Sequence, residues 1–185
     1  MATEYLVPDS NATPGTLFTL NDYTEANNTI ASADSVVGFR TGIDDQTATA
    51  VASVSLTSVV GGPATCVAIY LRVRARFQSW SNDDNRYTIT LRDGSGTYRC
   101  AVTFASISSG TAWTPLQSSV PAAGSYNTSE LASWYVTIAA ILFSSSKGKD
   151  GSYLEIDEIE VEVQSAAGKA FIYNSARRYA PFLAR

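Results

Sequence analysis

Two apolar runs of this chain carry charges of opposite sign on alternate positions. Arg72, Arg74 and Arg76 interrupt CVAIYLRVRARF (66–77), and Glu158, Glu160 and Glu162 interrupt YLEIDEIEVEV (153–163). A row of guanidinium groups binds phosphates when it lies unpaired on a basic face, and it pairs with carboxylates when an acidic row runs beside it. Alternate side chains of an extended strand share a face, so Ile69, Leu71, Val73, Ala75 and Phe77 are expected in the core, with Tyr70 and the three arginines opposite. The two rows predict neighbouring strands joined by a cross-strand ladder of ion pairs. Each exposed pair is expected to add about 0–1 kcal/mol, so the ladder sets register more than stability. A partner-binding stripe is the lesser alternative. Nucleic acid is not expected: residues 1–163 hold 17 acids against 9 basic residues, a net charge of −8.

Other chemistry is sparse. The chain has no histidine, which removes Ser-His and Cys-His nucleophile pairs and the commonest metal ligand. It contains no CxxC pair, phosphate-cradling glycine loop or GxSxG elbow. Glycoside hydrolysis needs two carboxylates converging on one substrate. Asp44-Asp45 and Asp83-Asp84 are adjacent acids in loops, read as solvated turn residues. A calcium site on Asp83, Asp84 and Asn85 lacks carbonyl ligands that the sequence can place. The expectation is therefore no catalytic residues, no metal, no cofactor and no enzymatic activity. Trp80 and Trp113, at a strand end and in a loop, are either a carbohydrate platform or lids over the core. Trp134 lies in an apolar strand and is read as core. Cys66 and Cys100 fall in strand-like runs and are read as reduced, buried thiols.

The elements that must position these residues are strands. Period-two alternation runs through TLFTL (16–20), SVVGFR (35–40), AVASVSLTSV (50–59), 66–77, RYTITLRD (86–93), TYRCAVTFASI (97–107), SWYVTIAAILF (133–143) and 153–163, with a weaker strand near 112–118. Asp93-Gly94 between two such runs is a short-hairpin signal. Only SELASWYVTIAAIL has a helical aspect, and its second half reads as a buried strand. Eight or nine strands in a chain with only 16% charged residues predict an all-β fold, a two-sheet antiparallel jelly-roll sandwich with extended N- and C-terminal arms. The expected organisation is an N-terminal arm over 1–14, the sandwich over 15–163 and a C-terminal arm over 164–185. MATEYLVPDS has neither a basic n-region nor an apolar h-region, and no apolar run reaches the length of a membrane span.

The last segment differs from the body. Residues 164–185 carry Lys169, Arg177, Arg178 and Arg185 with no acid, and Phe171, Ile172, Tyr173, Tyr179, Phe182 and Leu183 among them. Large apolar side chains cost about 1.5–3 kcal/mol each when left in water. The segment is thus either a strap packed on its own acidic body or an arm docking on a partner. In the second reading Phe171, Ile172, Tyr173, Arg177, Arg178, Tyr179, Phe182, Leu183 and Arg185 make the contact.

YLVPDS near the start, LRVRARF, LRDGSGT and LEIDEIEVEV together resemble the single jelly-roll domains of tailed-phage virion proteins, of the capsid decoration or cement type and the tail-fibre type. The likeness covers about residues 4–163. The IDEIEVEV ending is also similar to the last strand of galactose-binding-type carbohydrate modules. The resemblance implies a virion structural protein made in the host cytoplasm. It would sit as a homo-oligomer on the outer capsid surface, bind the major capsid protein and touch neither nucleic acid nor membrane. The alternative it implies is a tail-associated adhesin or carbohydrate-binding module with a surface glycan as partner.

Overall fold

The computed structural model describes residues 2–13, 17–41, 48–58, 65–78, 86–105, 112–120, 126–142 and 153–166. Ten strands run in chain order: β1 (Ala2–Leu6), β2 (Phe18–Asn21), β3 (Phe39–Thr41), β4 (Ala48–Ser55), β5 (Cys66–Gln78), β6 (Arg86–Arg92), β7 (Tyr98–Ala105), β8 (Thr114–Ser119), β9 (Tyr135–Leu142) and β10 (Tyr153–Ser165). They form two antiparallel sheets. One has the order β2-β3-β10-β5-β8, with β1 added to β10, and the other the order β4-β9-β6-β7. From β3 to β10 every connection crosses to the opposite sheet except the β6–β7 hairpin. That crossing pattern is the jelly roll, and the all-β sandwich expected from the alternation is the fold.

The inward face of each strand is the apolar one. Ile69, Leu71, Val73 and Ala75 of β5 lie beside Ile156, Ile159, Val161 and Val163 of β10, and all are buried. The second sheet contributes Tyr87, Ile89 and Leu91 of β6 and Val136, Ile138 and Ala140 of β9. Cys66 and Cys100 are free thiols inside this core. Trp134 is buried, its ring edge-on to Tyr126 at 5.2 Å. The Thr128–Ser133 stretch is a 3-10 turn leading into β9, so only the second half of SELASWYVTIAAIL is strand.

Three local findings differ from the sequence reading. Ala2–Leu6, expected to lie outside the sandwich, is hydrogen-bonded along β10 from Val161 to Ser165, with Leu6 buried. The strand expected at 35–40 begins only at Phe39: the Asp34 side chain accepts the Val36 N–H at 2.9 Å, and Ser35 sits at φ 71°, so the chain turns there. β10 runs two residues past Val163, and the Ala166 N–H closes on the Thr65 carbonyl at 3.0 Å.

Candidate functional site

The charged rows meet as the alternation predicts. β5 and β10 are antiparallel neighbours, with Arg76 opposite Glu155, Arg74 opposite Glu158 and Arg72 opposite Glu160. Arg72 pairs with Glu160 at 3.3 Å and Glu162 at 2.5 Å, and its Nε donates to the Gln117 side chain at 2.8 Å. Arg76 pairs with Glu155, which also takes Arg40 of β3 at 2.5 Å. Trp113 lies under two of the guanidinium groups, 5.4 Å from Arg74 and 4.5 Å from Arg76. A tryptophan in that position is engaged by cations, which leaves no specific observation for it as a sugar platform.

The face is not the solvated one that the sequence suggested. Glu155, Asp157, Glu158, Glu160 and Glu162 are all buried. The stretch between β2 and β3, with 3-10 turns at Tyr23–Glu25 and Ile30–Ser32, contributes to the cover. The Ile30 N–H donates to Glu160 Oε2 at 2.8 Å, and the Arg74 guanidinium donates to Ser35 Oγ at 2.9 Å. The carboxylates therefore sit in a lower dielectric than a surface ladder, and the estimate of about 0–1 kcal/mol per exposed pair does not apply to them.

The ladder is also out of step at one rung. β10 bulges between Ile156 and Glu158, so Asp157 and Glu158 both turn to the outer face. Arg74 pairs with Asp157 and not with Glu158, its register partner. Both are 0% exposed, and neither Oε atom of Glu158 nor Oδ1 of Asp157 has a hydrogen bond of normal geometry. Burial pushes the Glu158 carboxyl up to about 7. Asn28 beside it pulls the other way, the neighbouring Asp34 adds to the rise, and Arg74 opposes it weakly. Asp34, Asp157 and Glu158 each bring a carboxylate oxygen within 4.8 Å of the others. Two acids side by side between inward-facing Ile156 and Ile159 were the sequence signal for this bulge, since strict alternation allows only one.

A second polar cluster closes the β6–β7 hairpin. Asp93 Oδ1 accepts from the Ser95 N–H and hydroxyl and from the Thr97 N–H, at 2.7–2.9 Å, while Oδ2 takes Arg99 at 2.5 Å. The Ser95 hydroxyl leads the causes that hold the Asp93 carboxyl well below the usual range, against a desolvation penalty. Gly96 occupies φ +87° in the turn. Arg99 lies over the Tyr126 and Trp134 rings at 4.8 and 5.6 Å. This cluster has a structural account: it fixes the hairpin to the start of β9.

The partner-binding residues expected in the last segment, Phe171, Ile172, Tyr173, Arg177, Arg178, Tyr179, Phe182, Leu183 and Arg185, lie outside the described residues, as do Asp44, Asp45, Trp80, Asp83, Asp84 and Asn85. Among the described residues no helix is long and apolar enough to cross a membrane.

No protein-family model and no curated protein matches the chain. Solved structures similar to it include an arabinose-bound α-L-arabinofuranosidase, MgGH51, at 12% identity and a TM-score of 0.37, covering 85% of this chain and 23% of that one. Another is the enzymatically active domain of bacteriophage CBA120 tailspike protein 4, at 12% identity and a TM-score of 0.40, covering 88% of this chain and 19% of that one. The chain thus spans less than a quarter of either structure. The expectation that the chain is not an enzyme is corrected here. Both neighbours are enzymes, and the lack of histidine and of nucleophile motifs does not by itself define a chain as non-catalytic, since a pair of carboxylates suffices for glycoside hydrolysis. At these TM-scores the likeness assigns it no reaction.

Proposed function

We propose that the chain is a virion structural protein of a tailed phage, a head decoration or cement protein that binds the outer face of the assembled capsid. Its partner is the major capsid protein, its own state is a homo-oligomer, and residues 167–185 are the attachment segment. The observation that supports this reading is the mooring of that segment. It follows in sequence from β10, which β5 flanks along one side and β1 and β3 along the other. A basic, aromatic segment issuing from the strand held on both sides transmits a pull to the whole sandwich. Stabilisation follows by linkage: a protein that binds the assembled lattice and not its separated subunits shifts assembly toward the lattice.

The test compares the full chain with a chain ending at Ala166, the last described residue, whose N–H bonds to the Thr65 carbonyl. Both are mixed with purified heads depleted of decoration protein and sedimented. The expected result is that both chains melt cooperatively and only the full chain travels with the heads. Co-sedimentation of the shortened chain refutes the attachment role. Failure of the shortened chain to fold shows instead that the segment is a strap on its own body.

A further inference from the structure

We propose that Asp34, Asp157 and Glu158 bind a hard divalent cation, calcium in preference to magnesium, between the covering segment and β10. This site is independent of the virion reading. Three carboxylate oxygens lie within 4.8 Å of one another, so a point no more than about 2.8 Å from all three exists, and a shift of a few tenths of an ångström brings them to calcium's contact distance of about 2.3–2.6 Å. The donor set is all oxygen, without imidazole or thiolate, which selects a hard cation over zinc or copper.

Clustered acids alone would not make a site. The independent observation is that Glu158 is 0% exposed with no hydrogen bond of normal geometry to either carboxylate oxygen, although Asn28 lies beside it, and that Oδ1 of the equally buried Asp157 has none either. Unpaired buried oxygens of this kind are costly and rare in folded proteins. The charges point the same way. Three carboxylates face one arginine, Arg74, whose guanidinium is already committed to Asp157 and Ser35. The residual charge is about −2, which one divalent ion cancels. A proton on Glu158 would remove one charge and still leave Asp157 Oδ1 without a partner. Asp34 is exposed, which gives the ion a route in and room for water ligands. Its Oδ1 already accepts the Val36 N–H, so Oδ2 is free to bind. Bound calcium would cross-link the 22–38 segment to the bulge in β10.

The experiment uses the full chain, stripped with EDTA and desalted, melted with and without CaCl2 or MgCl2, and titrated with terbium under tryptophan excitation. Trp113 lies 5.4 Å from the Arg74 guanidinium that pairs with Asp157, near enough to sensitise the lanthanide. At calcium a hundredfold above Kd the melting temperature rises by about 5–10 °C, with a smaller rise in magnesium. Asp34→Asn keeps the Val36 hydrogen bond through its amide oxygen. It melts like the parent in EDTA and loses calcium affinity by about tenfold or more. Glu158→Gln abolishes the terbium signal. The proposal is overturned if 10 mM calcium (roughly a thousandfold over a weak sensor Kd) leaves melting unchanged. It is equally overturned if both variants keep the parent's calcium response, which places the ion elsewhere on the chain.

Discussion

Replacing Arg72 by Met distinguishes a buried ladder from a surface one. Met keeps much of the aliphatic volume and removes the cation from two acids at once. The Glu160 and Glu162 side chains are 2% and 6% exposed, and that of Arg72 is 30% exposed. A fully exposed pair contributes about 0–1 kcal/mol, whereas stripping the partner from a buried carboxylate costs about 3–5 kcal/mol. Two buried acids against a partly solvated arginine place the loss near the lower end of the second range, about 3 kcal/mol. For a chain of this size that lowers the melting temperature by about 6–12 °C. The assay is urea unfolding at pH 7.5 followed by tryptophan fluorescence, with the triple variant Arg72→Met, Glu160→Gln, Glu162→Gln as companion. Removing both charges should recover most of the loss, because the cost is that of uncompensated carboxylates and not of lost packing. A loss under about 1 kcal/mol for the single variant, or no recovery in the triple one, would refute the buried-ladder account.

Two further outcomes follow from the polar hairpin and the thiols. The Asp93 carboxyl is held below its usual range, so its stabilisation is complete above the unfolded value near 3.8 and lost as pH falls below it. The urea midpoint of the parent should drop more between pH 5 and pH 2.5 than that of Asp93→Asn, and equal drops would show that the contacts to Asp93 are not what holds the turn. Burial pushes both the Cys66 and Cys100 thiols up, with Glu130 adding to the effect at Cys66. Both should resist a thiol reagent such as DTNB in the native protein and react in urea, and rapid native reaction at either would contradict its burial.

The sandwich was legible because its strands alternate strictly. Arg72, Arg74 and Arg76 against Glu158, Glu160 and Glu162 even named the pairing of β5 with β10. The same period concealed the rung at Asp157: a bulge breaks alternation at one residue, and a count of the alternating charges includes Glu158 and leaves Asp157 out. No periodic pattern marks the sequence from 22 to 34, so its lying over the ladder was invisible, and with it the burial that turns weak surface pairs into costly ones. Gly38 shows how closely that segment is held. A Cβ there would lie 2.5 Å from the Ala26 side chain, yet a lone glycine after two valines reads as an ordinary strand interruption. The gathering of acids at the bulge was hidden for the same reason. Asp83 and Asp84 are adjacent in sequence, whereas the carboxylate oxygens that gather among the described residues belong to Asp34 and to the bulge more than a hundred residues later.

The most direct test of the virion role is immunogold labelling of particles from the source lysate, with antibody raised to residues 1–166. The account predicts gold distributed over the heads. Gold confined to the tail tip would contradict the decoration role in favour of an adhesin, and particles without label would contradict a virion role altogether.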